Sequence, residues 1–262
     1  MSGVRPPAVA GLFYPRDPGE LRAEVEALLA AAEPPAGPAP AALVAPHAGY
    51  VYSGPIAASA FKTLAARKGE IRRVVLLGPS HYLGFDGLAL APHRAFRTPL
   101  GDVDLDPGGA AAIRDLPQVA LLEAPHEREH SLEVELPFLQ VVLGSFTLVP
   151  LAVGEAKAAE VAAVLARLDG DEGTVVIVST DLSHYLDYDS ARARDRATGR
   201  AILDLAPARI GVHDACGRVP LAGLLERARA RGLAARELDR RNSGDTAGPR
   251  DRVVGYGAYA FA

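Results

Sequence analysis

Apolar runs of the length of buried β-strands alternate along this chain with helical patterns, and this alternation limits the folds it can adopt. The strand-like runs cover residues 41–46, 72–80, 146–154 and 173–180. Helical patterns between them cover residues 53–69, 129–144 and 155–170. Because strands that alternate with helices favour parallel pairing, we predict an α/β fold. Its largely parallel or mixed central sheet is expected to carry helices on both faces.

The N-terminal segment is predicted to be a helix followed by a linker. Asp17 is a suitable N-cap and Pro18 suits the first helical position, so we expect a helix over about 18–32. The Pro-rich stretch 34–40 ends this helix, and both segments are expected to pack on the rest of the chain. The other expected elements are helices over 189–206 and 217–232, a closing strand over 251–262 and an antiparallel excursion over 87–106. The sequence has no internal repeat, so we predict a single domain over residues 1–262.

Charge and cysteine content exclude several classes of function. The chain has 262 residues, a formal net charge of −4 and a pI near 6.0, without a cluster of Lys or Arg. We therefore expect neither nucleic acid nor a membrane surface as a partner. No stretch of about 18 uncharged apolar residues is present, which predicts a cytoplasmic protein. Cys216 is the only cysteine, and this excludes an internal disulfide.

Three of the seven histidines follow predicted strands. His47 and His81 come immediately after strands, and His184 comes about one turn after the run that ends at residue 180. Ligands of open α/β sheets gather beyond the carboxyl ends of the strands, so we expect these imidazoles to share one crevice. Histidine is the commonest metal ligand and titrates near neutral pH. The group therefore predicts a metal or acid–base site, although a turn cap or a buried hydrogen bond explains any one histidine alone.

Asp181 and Cys216 are the other candidates. Asp181 lies three residues before His184, so the two share a face if the chain turns helically there. They then form an acid–base pair or support a metal, and the alternative is an N-cap beside an incidental histidine. Cys216 comes just before a predicted helix, where the helix dipole favours the thiolate. A lone cysteine is otherwise most often a small buried apolar residue.

The remaining histidines have weaker settings. His130 and Glu133 open the predicted helix 129–144, and a solvated helix start explains them better than a site does. His93, His126 and His213 are interpreted as surface residues. The sequence contains no P-loop, no nucleophile elbow and no H-E-x-x-H zinc motif.

Seven motifs in a fixed order resemble those of one known family. They are AGLFYP (10–15), APHAGYVYSG (45–54), LLGPSHY (76–82), EHSLEVELPFL (129–139), VPLAVG (149–154), STDLSHY (179–185) and CGRVPL (216–221). These motifs span nearly the whole chain and resemble the Memo family, whose prokaryotic members are called AmmeMemoRadiSam system protein B. The resemblance implies a fold similar to the LigB-like class III extradiol dioxygenases. Those enzymes use non-haem iron.

The resemblance also implies a metal site. Carried over motif by motif, the metal ligands are His47, His81 and Cys216, with Asp181 and His184 beside them as catalytic residues. A set of two histidines and one cysteine suits iron or copper, with zinc also compatible, and disfavours Mg²⁺ or Ca²⁺. A thiolate in place of a carboxylate changes the electronics at iron, so ring cleavage does not follow from the fold.

Two functions of different classes follow from these observations. The first is a metal-dependent oxidoreductase with a dioxygenase-like site, an unknown small-molecule or peptide substrate, and Tyr50, Tyr82 or Tyr185 near that substrate. The second is a binding module without catalysis, which acts with an AMMECR-type protein and a radical SAM enzyme as the family name suggests. A third, metal-independent hydrolysis by Asp181 and His184, lacks a nucleophile with a convincing setting.

Overall fold

The computed structural model describes residues 3–33 and 37–262. The strands in these residues, in chain order, are β1 (Val4–Arg5), β2 (Ala42–Ala45), β3 (Arg73–Pro79), β4 (Leu88–Leu90), β5 (Ala95–Thr98), β6 (Gly101–Asp104), β7 (Val119–Leu121), β8 (Thr147–Val153), β9 (Thr174–Ser179), β10 (His184–Leu186), β11 (Ala235–Asn242) and β12 (Val253–Phe261). The helices are α1 (Pro18–Ala31), α2 (Tyr50–Phe61), α3 (Pro107–Ile113), α4 (Ala124–Glu127), α5 (Leu136–Leu143), α6 (Ala158–Leu168), α7 (Tyr188–Leu203) and α8 (Arg218–Arg231).

Nine of the described strands form one mixed sheet. Its order is β10-β12-β2-β9-β3-β8-β4-β7, and β11 pairs along the other side of β12. The central strands β2, β9, β3 and β8 are parallel, whereas β12 and β4 are antiparallel to their neighbours β2 and β8. A smaller sheet has the order β1-β5-β6. The α/β fold class with a mixed central sheet is thereby confirmed.

Helices cover both faces of the large sheet because its central strands are apolar on both sides. In β9, Val175 and Ile177 belong to one buried cluster, while Val176 and Val178 belong to another. The first cluster includes residues of α1, α2 and α5, and the second includes residues of α3, α6 and α8. None of the helices in the described part of the chain combines the length and apolar character needed to cross a bilayer.

The structure corrects several predicted elements. The helix expected over 129–144 is confined to α5, since Pro137 suits a first helical turn, and the residues before it form a buried turn. The helix expected over 53–69 starts earlier at Tyr50 and ends in a 3₁₀ turn. Strand β11 was not predicted because its sequence, ARELDRRN, is rich in charge. The linker predicted over 34–40 lies partly outside the described residues, which exclude 34–36.

Two histidines interpreted as surface residues are buried. His126 is fully buried, and its Nε2 donates to the Ala89 carbonyl at 3.0 Å. His93 is 7% exposed and lies 3.4 Å from Glu123. The sequence setting of His126, on the short helix α4 beside charged residues, gave no sign of this burial. His213 is exposed, as predicted.

The burial of His126 predicts a pH dependence of stability. Burial lowers the pKa of this imidazole to about 4, although the Ala89 carbonyl opposes the shift. Between about pH 6.5 and 4, the unfolded chain therefore takes up a proton that the folded chain does not. The free energy of unfolding consequently decreases as the pH is lowered through this window. The expected loss is about 1.4 kcal/mol per pH unit within this window. Urea titrations at several pH values measure it, and His126→Gln is expected to flatten the slope; an unchanged slope in this variant would contradict the assignment.

Candidate metal centre

Three adjacent parallel strands end at the same edge of the sheet, and each is followed by a polar residue. β2 is followed by His47, β3 by His81, and β9, which lies between them, by Asp181. The register pairs Ala45 of β2 with Ser179 of β9, so the ends of these strands are level. This is the crevice at the carboxyl ends where α/β proteins place their sites.

Cys216 reaches the same edge from the loop before α8. Gly217, the N-cap of α8, makes the approach possible, because a Cβ at this position would lie 2.6 Å from the Cβ of Thr180. The Cys216 sulfur accepts a hydrogen bond from the backbone N–H of Asp181 at 3.3 Å. It also lies 3.4 Å from Nε2 of His47. The sulfur is thus in contact with both a backbone N–H group and a histidine ring nitrogen.

The potential ligand atoms of His47, His81 and Cys216 all lie within 4.8 Å of one another. His47 Nε2 and the Cys216 sulfur are 3.4 Å apart, close to the separation of two donor atoms bound to the same metal ion. Zinc bonds of about 2.3 Å to sulfur and about 2.0 Å to nitrogen, at a tetrahedral angle, separate the two donors by about 3.5 Å. This pair of donor atoms therefore has the separation that a single transition-metal ion requires.

Buried polar groups orient the two histidines. The backbone N–H of His47 donates to the Asp181 carboxylate at 2.9 Å, and His47 Nδ1 lies 2.7 Å from the Ser179 hydroxyl. Glu129 holds His81 through a contact of 2.9 Å to Nδ1 and accepts from the His81 backbone N–H at 2.6 Å. A carboxylate on the remote nitrogen of a ligating histidine is a common feature of metal sites. His47 thus turns its other nitrogen, Nε2, towards Cys216, and in His81 the contact of Nδ1 with Glu129 leaves Nε2 as the potential metal ligand.

The electrostatics of the two imidazoles differ. Burial lowers the pKa of His47 well below its usual value, and the charges of His81, His130 and His184 add to this. Burial also lowers the pKa of His81, but hydrogen bonds with Cys216 and Glu129 outweigh it and raise the value to about 10. Without a metal, the site therefore consists of a neutral His47 beside a cationic His81. A metal cation held by His81 would take the place of this proton and compensate the same negative groups.

Asp181 and His184 lie near this centre, but not on one helical face. Residues 181–183 are not helical, and His184 begins β10 instead. Burial raises the pKa of Asp181 to about 7, with the His47 backbone N–H opposing the shift. His184 Nδ1 donates to the Leu182 carbonyl at 2.9 Å, which leaves Nε2 as its free nitrogen. Both residues line the same cavity.

Glu133 is fully buried and His130 is half-buried, so their interpretation as a solvated helix start was wrong. The His130 ring stacks on His81 with the ring centroids 4.6 Å apart, and its centroid lies 5.4 Å from that of His47. Burial lowers the pKa of His130 to about 4. Together with Glu129 and His81, it forms a second group of potential ligands within 4.8 Å. The missed signal was the alternation of polar and apolar residues over SLEVE (131–135), which does not fit the periodicity of an amphipathic helix.

Glu133 fixes the N-terminal arm, residues 5–14, against the site. Its carboxylate accepts hydrogen bonds from Arg5, Tyr14 and the backbone N–H groups of Ala8 and Val9. Burial and the Glu133 charge raise the pKa of Tyr14 far above its usual value, so it stays a hydrogen-bond donor. The arm then forms one wall of the cavity.

The cavity above the histidines has a volume of about 820 Å³. It is lined by side chains of the arm, by His47, His81, His130 and His184, and by Tyr52, Tyr82, Tyr185 and Arg252. Tyr185 has a φ of 60°, which is rare for a non-glycine residue, and the Arg252 guanidinium lies 4.4 Å from its ring centroid. Tyr50, expected near the substrate, is instead 2% exposed and donates its hydroxyl proton to the Val134 carbonyl.

Comparison with known proteins identifies the family. The family profile described as Memo-like protein matches residues 5–260. The chain belongs to the Memo-like family. It is 39% identical to a MEMO1 family protein of Methanopyrus kandleri, with 98% of each chain covered. It is 35% identical to a MEMO1 family protein of Aquifex aeolicus, with 97% of each chain covered. The family predicted from the seven motifs is therefore confirmed.

A solved structure shares the fold of this Memo-like chain. The crystal structure of an uncharacterized protein from Escherichia coli K12 superposes with a TM-score of 0.57 at 14% sequence identity. The match covers 84% of this chain and 98% of the other. At this level of identity the likeness concerns the fold alone. The chemistry of the Memo-like chain depends on its own side chains.

Proposed function

We propose that this Memo-like protein is a metal-dependent oxidoreductase with a dioxygenase-like site, in which His47, His81 and Cys216 hold one iron or copper ion. The convergence of two imidazole nitrogens and one sulfur within 4.8 Å supports this proposal. Imidazole and thiolate donors suit copper, iron and zinc, and oxygen-preferring Mg²⁺ and Ca²⁺ are disfavoured. Held by these three side chains, iron or copper would supply one-electron redox chemistry.

The protein side chains have distinct roles in this proposal. The cavity accepts a small molecule beside the metal, and its tyrosines favour an aromatic ring. His184 presents its free Nε2 to the cavity and transfers a proton to or from the substrate. Asp181 holds the backbone of His47, and its pKa of about 7 allows it to exchange a proton near neutral pH. The N-terminal arm excludes water from one side.

Oxygen consumption with a panel of catechols and phenols tests the enzymatic part of this proposal. The protein is loaded with Fe²⁺ or Cu²⁺, and turnover is compared between wild type and His184→Gln. We expect the rate to fall by about 10²-fold or more, because general acid–base groups contribute about 10²- to 10⁴-fold, while the metal content stays the same. The control is His213→Gln, since His213 is exposed and lies outside the cavity lining.

The alternative function, a binding module, predicts no turnover in this experiment. The open cavity with the exposed side chains of Tyr52, Tyr82 and Tyr185 at its edge is compatible with a peptide. An absence of turnover with every metal and substrate, together with tight capture of an AMMECR-type or radical SAM protein, would favour the module and refute the enzyme.

A further inference from the structure

The hydroxyl of Ser179 is the centre of a buried polar group beneath His47. It lies 2.7 Å from His47 Nδ1, 2.7 Å from the Ser131 carbonyl oxygen and 2.6 Å from Oε1 of Glu135. Ser179 is completely buried, and Glu135 and His47 are each 1% exposed. All three distances are those of hydrogen bonds, so each pair of polar atoms must share one proton between donor and acceptor.

Counting protons decides which group donates in each contact. A serine hydroxyl has one proton to donate and can accept two hydrogen bonds. A carbonyl can only accept a hydrogen bond, so the Ser179 hydroxyl must donate its proton to the Ser131 oxygen. His47 Nδ1 and Glu135 must then both donate to Ser179. If Glu135 were ionised, one proton would serve two buried oxygens at 2.6 and 2.7 Å, and the contact without a proton would be repulsive.

The surroundings of Glu135 agree with a neutral acid. Its Oε2 is buried without a hydrogen-bond partner in the described part of the chain. Burial raises the pKa of Glu135 well above its usual value, and the charge of Asp181 adds to the shift. A buried carboxylate with an unpaired oxygen would carry a large desolvation cost.

We propose that Glu135 is a neutral carboxylic acid and that, together with Ser179, it is a positioning pair that holds His47 in its Nδ1–H tautomer. The lone pair of His47 then lies on Nε2, the nitrogen that faces the Cys216 sulfur at 3.4 Å. The hydrogen bond on one ring nitrogen selects the nitrogen that binds a metal. The role in metal binding rests on the function proposed above, whereas the tautomer itself does not.

NMR of the metal-free protein with ¹⁵N-labelled histidine rings tests the tautomer directly. His47→Gln assigns the His47 signals among the seven histidines. In wild type we expect Nδ1 at the position of a protonated ring nitrogen and Nε2 at that of a nitrogen with a lone pair. Wild-type protein with the proton on Nε2, or with both tautomers populated, would overturn the proposal whatever the variants do.

Three variants separate positioning from a purely structural role. Glu135→Gln retains a donor towards Ser179, so the Nδ1–H tautomer is expected to persist. Ser179→Ala removes the acceptor, and His47 is expected to populate both tautomers. Thr174→Val is the control, because it removes a buried hydroxyl from the same strand that has no hydrogen-bond partner within the residues described. Loss of the tautomer in Glu135→Gln or in the control would contradict our assignment.

Infrared spectroscopy reports the protonation of Glu135. A carboxylic acid band at pH 7 that disappears in Glu135→Gln is expected, and its absence from the wild-type difference spectrum would refute the neutral acid. Zn²⁺ binding then tests the consequence for the metal. We expect Ser179→Ala to weaken it by about 10- to 100-fold, as other outer hydrogen-bond partners of ligating histidines do, and Glu135→Gln to retain it.

The two proposals fail in different ways. If wild type binds no transition metal but His47 is the Nδ1–H tautomer, the proposed function is wrong and the positioning pair stands. If wild type binds metal through His47, and His47 still carries its proton on Nδ1 in the Ser179→Ala variant, the positioning pair is wrong and the metal site stands.

Discussion

Zn²⁺ or Cu²⁺ binding is expected to weaken by about 10⁴-fold in a His81→Ala/Cys216→Ser double variant. Four-ligand zinc sites bind with apparent free energies of about 10–16 kcal/mol, so one ligand contributes about 3 kcal/mol, or roughly a factor of 100. Because both side chains are partly exposed, their replacement is expected to cost little stability. The backbone N–H at position 81 remains as a donor to Glu129.

Competition with a chromophoric chelator, together with elemental analysis of the purified chains, measures this loss. His213→Ala is the matched control, since this histidine is exposed. Urea unfolding of the metal-free proteins shows whether the double variant is still folded. A folded double variant with wild-type metal affinity would show that the ion binds elsewhere, for example at Glu129 and His130, the two members of the second ligand group that this variant retains.

Glu133→Ala is expected to cause the largest loss of stability of any single substitution considered. It leaves the Arg5 guanidinium, 1% exposed, without its carboxylate partner, and it removes the acceptor for Tyr14 and two backbone N–H groups. Breaking a buried ion pair by removal of one partner costs about 3–5 kcal/mol. The arm is also expected to detach from the cavity wall, so metal or ligand exchange should become faster.

The free energy of unfolding from urea titrations measures this effect. Glu26→Ala is a suitable control, because Glu26 is exposed on α1 and such changes stay within about 0.5 kcal/mol. Replacement of both partners, in Arg5→Met/Glu133→Leu, is expected to cost less than Glu133→Ala alone, since no charge is left buried and unpaired. If Glu133→Ala resembled the Glu26 control, the carboxylate would not anchor the arm.

Most of the sheet could be predicted from the sequence because its central strands are buried on both faces. The runs 72–80 and 173–180 contain β3 and β9 almost residue for residue. β11 could not be found in this way, since its charged side chains resemble a loop although it pairs with β12, the next strand along the chain. The buried turn before α5 was missed because its polar residues have partners that only the tertiary structure supplies.

The candidate site, like the sheet, could be predicted only in part from the sequence. His47 and His81 follow recognisable strands, so their position at the carboxyl edge of the sheet came from local pattern alone. The placement of Cys216 depended on the family resemblance, because nothing near residue 216 indicates that its loop returns to the end of β9. His130, Glu129 and Glu135 were not predicted as site residues, since their roles consist of hydrogen bonds and ring contacts with distant segments.

The position of β9 between β2 and β3 has a consequence for how an ion is captured. His47 and His81 follow central strands that are hydrogen-bonded to β9 on either side of it, so these two donors would be preorganised before an ion arrives. Capture then requires little ordering of the polypeptide, and most of the intrinsic bond strength appears as affinity. A metal site with fixed donor positions would discriminate between ions by their size and preferred geometry, because the donor atoms could not move to suit each ion.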